Sequence, residues 1–188
     1  MAPMPEEIEV PTEHLHESME EAAEEAKEEA KEERSWVSRV AVSSAMLAVL
    51  AAITALLASH HSDEAILEQM KASDQWSFYQ AKSIKLAVLQ NDIDQRKLDG
   101  KPVPEERAAK VTEYQNDMKK IEEEGHEREN ESADHMAHHV WLARGVTAFQ
   151  IAIAMGAISV LAKRKPLWWV SLALGAAGTA GLVVGLLS

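Results

Sequence analysis

Val40-Ala-Val-Ser-Ser-Ala-Met-Leu-Ala-Val-Leu-Ala-Ala-Ile-Thr-Ala-Leu-Leu-Ala58 runs for 19 residues without a charged side chain. Gly145–Ala162 and Leu167–Leu187 are two further uncharged runs, of 18 and 21 residues. At 1.5 Å per residue each would cover roughly 27–32 Å as a helix, about one hydrocarbon layer. Backbone amides inside lipid must be satisfied within the segment, so these runs predict transmembrane helices. The competing reading is three buried helices of one soluble core. It is disfavoured because soluble core helices of this length rarely stay apolar all round. Tryptophans stand where interfaces should lie: Trp36 before the first run, Trp141 before the second, Trp168 and Trp169 at the start of the third.

Basic residues set the expected orientation. Lys163, Arg164 and Lys165 form a tight loop between the second and third runs, and Lys27, Lys31, Arg34 and Arg39 precede the first. Few bases flank the other side, so the positive-inside rule predicts a cytoplasmic N-terminus and basic loop. The middle of the chain and the C-terminus then lie outside. The first run begins too late, behind an acidic region, to be a secretory signal.

The middle of the chain contains no strand pattern. One breaker cluster, Asp99-Gly100-Lys101-Pro102-Val103-Pro104, divides it, with Gly as a helix stop and Pro104-Glu105-Glu106 as a helix start. The expected layout is an acidic segment over 1–34, extended then helical from an N-cap at Thr12; a transmembrane helix over 35–59; an antiparallel helical hairpin over 60–139 turning near 99–104; a transmembrane helix over 140–162; a basic loop over 163–166; and a transmembrane helix over 167–188. The fold class is an all-α membrane protein.

Within the hairpin, Val111, Tyr114, Met118, Ile121 and Gly125 follow a 3-4-3-4 seam, the spacing of coiled-coil packing. The outgoing helix offers two faces. One carries Ile66, Met70, Ser73, Ser77, Ala81, Ile84 and Val88; the other carries Trp76, Tyr79, Leu86 and Ile93. That exceeds what one partner helix needs, so one face is available for self-association or simply exposed. A turn centred near residue 101 sets residue i opposite roughly 203−i, which places Gly125 against Phe78.

Composition narrows the function. The chain has 188 residues, a net charge of -12 and no cysteine. Residues 1–34 hold 13 glutamates against Lys27, Lys31 and Arg34. Without cysteine there are no disulfides and no thiolate ligands or nucleophiles. A net acidic chain without a basic patch is a poor nucleic-acid binder. The Glu-Ala run favours helix, but Glu20/Glu24 and Glu21/Glu25 repel at i,i+4. This segment reads as a solvated tail, a docking helix for a basic protein partner, or an oligomer contact.

Five of the eight histidines flank the bilayer: His60 and His61 after the first run, His135, His138 and His139 before the second. The mirror rule sets His135 and His139 against Glu68 and Glu64. Two imidazoles and two carboxylates on facing helices form a plausible ligand set for a divalent metal such as zinc. The same cluster also suits interfacial packing or pH-dependent gating, since a histidine titrates near about 6.5. His14 and His16 read as surface residues. In the third span Ala173, Ala177, Gly181 and Gly185 repeat at i,i+4, with Ala148, Ala152 and Gly156 in the second span and Ala48 and Ala52 in the first. Small ridges let helices approach closely in lipid. No span carries an ionisable residue at mid-depth, which argues against a proton-coupled transporter built within one subunit.

Ser38-Arg-Val-Ala-Val-Ser-Ser-Ala-Met-Leu-Ala-Val-Leu-Ala-Ala-Ile53, Ser59-His-His-Ser-Asp-Glu-Ala65 and Lys71-Ala-Ser-Asp-Gln-Trp-Ser-Phe-Tyr-Gln-Ala-Lys-Ser-Ile-Lys85 resemble a bacterial membrane family, domain of unknown function 4337. The resemblance takes in the acidic N-terminal region and the Lys163–Lys165 loop, so it covers nearly the whole chain. It implies a small bacterial inner-membrane protein and no particular activity, cofactor or catalytic residue.

No nucleophile elbow, phosphate loop, paired-carboxylate cleft or cofactor motif is present. The expected function is therefore non-enzymatic: a homo-oligomeric scaffold or accessory subunit in the lipid bilayer, assembled through Trp76, Phe78, Tyr79 and the small-residue faces of the spans. Two others compete: an oligomeric channel or metal or pH sensor built on the histidine cluster, and a membrane anchor recruiting a partner through residues 12–34.

Overall fold

The computed structural model describes residues 12–187, with side chains from residue 16 onward. The extended stretch expected over Met1–Val10, and the side chains of Thr12 and His14, lie outside the described residues. Among those described, all regular structure is helical: α1 (Thr12–Leu98), α2 (Glu105–Leu161) and α3 (Lys165–Leu187). All three are long and apolar enough to cross a membrane.

Proline and glycine explain the breaks. From Thr12 to Leu98 there is neither, so nothing interrupts the 87 residues of α1. No break separates the acidic segment from the first apolar run, or that run from the polar stretch beyond it. The rod is about 130 Å long. It stops at Gly100, whose φ of +69° is left-handed and costs glycine nothing. Gly100 N–H donates to Lys97 O and Lys101 N–H to Arg96 O, closing the two crossed bonds of a Schellman cap. Pro104 then opens α2 with extended backbone, where a missing N–H costs nothing.

The second break has the same bond pattern with a different residue. Lys163 N–H donates to Val160 O and Arg164 N–H to Ser159 O, around Lys163 at φ +51°. A lysine in that conformation is strained. Pro166 follows in the first turn of α3, a position proline tolerates.

Helix α2 is the central element. It packs along both α1 and α3, which scarcely touch each other. In the apolar zone the core is Leu47, Phe149 and Ala152, with Leu50, Ile153 and Leu174 against it. Gly156 marks the point where all three helices meet: a Cβ there would sit 2.9 Å from Ser44 Oγ of α1 and 3.3 Å from Ser171 Oγ of α3. Buried hydroxyls are satisfied in place. Ser171 donates to Ala152 O at 2.7 Å, and Thr54 to Leu50 O at 2.7 Å.

Beyond the apolar zone α1 and α2 continue side by side. Their links descend along α2 as α1 ascends: Ser132 Oγ to Ala65 O at 2.8 Å, Arg128 to Glu68 at 3.1 Å, Lys82 to Asp117 at 2.5 Å, and Arg107 to Asp92. Residue i thus lies opposite roughly 196–199 minus i, and the 203−i rule is corrected. The reason lies at the turn. The non-helical Lys101–Pro104 segment runs back along the last turn of α1, so α2 starts beside Asp94 rather than beside Leu98. Gly125 accordingly takes the Trp76 indole, with ring atoms 3.4 and 3.5 Å from where a Cβ would stand, while Phe78 is 61% exposed.

Candidate functional site

Where the apolar and polar parts of α1 and α2 meet, the histidines come together. His61 stacks on His138 with centroids 4.8 Å apart. Its centroid lies 5.5 Å from that of His135 and 5.7 Å from that of the exposed His60. His61 Nδ1 and His135 Nδ1 face each other at 3.2 Å. One must donate and the other accept, so the pair holds a single proton between these two nitrogens. His139 Nδ1–H donates to Ala58 O at 2.8 Å, and His138 Nδ1–H to Gly185 O at 2.9 Å. The last contact ties α2 to the final turn of α3, whose carbonyls have no helical partner of their own.

The expected facing of His135 to Glu68 and His139 to Glu64 is therefore corrected: the register shift carries them to His61 and Ala58. Glu68 is buried and committed elsewhere, accepting from Lys71 at 2.7 Å and Arg128 at 3.1 Å. The Lys71 hydrogen bond, then that from Arg128, holds its carboxyl below the usual range against the opposing effect of burial. Glu64 is half-buried near His61. Among the described residues no group of three or more His, Asp or Glu side chains is arranged to hold a metal ion. Burial, then the neighbouring His138, His135 and His60, pushes His61 below the ordinary histidine value, with Glu64 opposing.

Of the aromatic residues expected at a contact surface, Trp76 turns into the helix pair. Its indole N–H donates to Glu129 at 2.9 Å, and its ring meets Tyr79 and His126 edge-on at 5.8 and 5.1 Å. That bond, joined by one from His126, lowers the Glu129 pKa. His126 was not singled out in the sequence; its only signal is its place beside Gly125. Phe78 points outward. So does the whole face carrying Ile66, Met70, Ser73, Ser77, Ala81, Ile84 and Val88, every one of them exposed. The other face, with Trp76, Tyr79, Leu86 and Ile93, meets α2.

In α3, Ala173 and Ala177 are exposed, whereas Gly181 and Gly185 touch α2. The contacting seam is Ser171, Gly175, Gly178 and Gly185, all buried. Gly175 takes Leu47, Gly178 takes the Phe149 ring and Gly181 lies against the Gly145 backbone. The 4-3 spacing of Ser171, Gly175 and Gly178 was the available signal; the i,i+4 stripe through the alanines masked it.

At the opposite end of the apolar zone, Lys163 pairs with Glu33 at 2.7 Å, which raises the lysine pKa. Trp36 is buried nearby, and Arg144 lies over the Trp141 ring at 4.9 Å at the histidine end. A family model matches residues 36–188, from Trp36 onward. The chain belongs to the family described as domain of unknown function, DUF4337. The DUF4337 region thus holds all three apolar runs, the α1–α2 polar pair and every histidine except His14 and His16. It leaves the acidic segment outside, which corrects the wider extent that the resemblance suggested. No curated protein and no solved structure matches the chain.

Proposed function

We propose that this DUF4337 protein is a non-enzymatic membrane scaffold or accessory subunit that works as a homo-oligomer. The observation that carries the reading is the exposed apolar face of α1 beyond the bilayer. Ile66, Met70, Ile84 and Val88 are 55–66% exposed, although α2 already covers the opposite side of the same helix. A water-facing surface keeps such a run only where a partner covers it. In this reading the α1–α2 pair is an antiparallel hairpin standing outside a bacterial inner membrane, with the N-terminus and basic loop in the cytoplasm. The Lys163–Glu33 pair supports a common side for those two elements.

The test is the native mass of the full chain in mild detergent, with the detergent contribution subtracted. A mass of two or more chains is expected. A monomer that persists as concentration rises would remove the reading. A reporter joined after Ser188 tests the orientation; a cytoplasmic signal would reverse it.

A further inference from the structure

We infer that copies of this chain associate in parallel and in register along a single face of α1 that passes from lipid into water. The inference rests on the homo-oligomer reading and names its seam.

Outside the bilayer the exposed face from Ile66 to Val88 repeats with a spacing of 4-3-4, then 4-3-4 again. That is an 11-residue period, or about 3.67 residues per turn. It is so close to the helix's own 3.6 that the stripe winds little; its edges border grooves shared with α2, Ile66, Met70 and Ser73 beside Ser132 and Met136, and Ile84 and Val88 beside Arg107 and Tyr114. Followed back at 3.6 residues per turn, the same face passes the exposed Asp63 and Ser59 at the bilayer boundary and then meets Ala55, Ala52, Ala48 and Ala45, all of them exposed. The large residues of this span, Val42, Met46, Val49, Ile53 and Leu56, point to a different side, toward lipid.

The residue type on this face changes where the solvent changes. In lipid, hydrophobic burial drives nothing, and small residues favour association by letting backbones close together. In water, apolar side chains supply the drive. One face therefore carries, in each medium, the chemistry that favours helix association there.

A second copy is the occupant that fits. Two copies inserted in one membrane share orientation and depth, so each residue meets its own counterpart: alanine on alanine in lipid, Ile66 on Ile66 and Ser77 on Ser77 outside. The flanks are compatible. In a parallel pair a residue on one flank faces the residue five further along the partner, which sets Gln69 opposite Asp74 and Gln80 opposite Lys85. Asp74 and Lys85 each meet a neutral amide instead of their like, while Asp63, at the bilayer boundary, meets its own copy. The stripe from Ala45 to Val88 is about 65 Å long and about 10 Å wide. It would cover about 650 Å² per copy, near the roughly 800 Å² of a standard interface.

The absence of cysteine makes the test direct. Ser73→Cys and Ser77→Cys are made singly in the full chain and oxidised in native membranes, with Asn116→Cys on the exposed side of α2 as the control. Disulfides need Cα atoms within about 7 Å. Parallel in-register pairing converts most of the chain to a covalent dimer at both Ser73 and Ser77, and little at Asn116. A dimer at Ser77 alone, with Ser73→Cys cross-linking instead to Ala81→Cys in a mixture, means antiparallel pairing and overturns the inference. No cross-link from a protein whose native mass is multimeric overturns it too, while leaving the homo-oligomer reading intact. A monomeric native mass removes both.

Discussion

Substituting Gly181 by alanine would place a methyl carbon 3.0 Å from Gly145 Cα and 3.2 Å from Gly145 N. Both neighbours are backbone, so no side chain can swing aside. Carbon atoms prefer about 3.5–4.0 Å, so α2 and α3 would have to part by about 0.5–1 Å. Overpacking of this kind costs about 1–3 kcal/mol. Alanine recovers about 0.8–1.0 kcal/mol of helix propensity over glycine. The net expectation is a loss of up to about 2 kcal/mol. Gly125→Ala has the same propensity gain, but its nearest neighbours are Trp76 ring atoms at 3.4 and 3.5 Å, an ordinary contact. It should gain up to about 1 kcal/mol. At about 2–4 °C per kcal/mol for a chain of this size, Gly181→Ala melts up to about 8 °C lower and Gly125→Ala about 2–4 °C higher. The assay is thermal unfolding in mild detergent, followed by circular dichroism. Ala177→Leu, on the exposed side of α3, serves as a control and should not move the midpoint. If Gly181→Ala raised the melting temperature as Gly125→Ala does, the close backbone approach of α2 and α3 would be refuted.

The remaining expectations are independent of that seam. His61 has a depressed pKa in the folded chain, so the unfolded chain takes up the proton first as pH falls. Its stability contribution is complete above about pH 6.5 and is lost as pH drops through that value toward the folded pKa. Melting midpoints between about pH 8 and about pH 5.5 should therefore fall, and His61→Gln should flatten the slope; an unchanged slope would show that His61 carries no proton linkage. Ser132→Ala removes the buried donor to Ala65 O and should cost about 0.5–1.5 kcal/mol, read as a lower melting midpoint with helix content unchanged. Met70→Glu combined with Ile84→Glu puts charge on the exposed face of α1, at residues 61% and 66% exposed, so the native mass should fall to one chain while the melting midpoint of that chain stays within a few degrees. An unaltered mass would place the contact elsewhere.

Several parts of this architecture were legible in the residues alone. The three uncharged runs, the breaker at Asp99–Pro104 and the basic loop are local features, and local rules are enough to read them. A chain with no glycine or proline between Thr12 and Leu98 has nothing to stop its helix. The clustering of His60, His61, His135 and His138 at one level follows from two rods folding back at a visible turn.

Which atoms meet was not legible. The partners of His135 and His139 depend on how far Lys101–Pro104 runs back beside α1, and a shift of that size replaces Glu68 and Glu64 by His61 and Ala58. The choice between the two apolar faces of α1 was also open, because both have helical spacing. Only the contact with α2 turned Trp76 inward and left Ile66 to Val88 uncovered. In α3, alanine and glycine count alike as small in a pattern. Just the glycine positions tolerate the Phe149 ring, 2.8 Å away at Gly178, or the Gly145 backbone, 3.0 Å away at Gly181, and packing selected these two over Ala173 and Ala177. Solvent preference is a property of each segment and is written in its composition. Register is a property of two segments at once, set by the sum of many weak contacts between residues far apart in the chain, and it became fixed only when the helices were laid together.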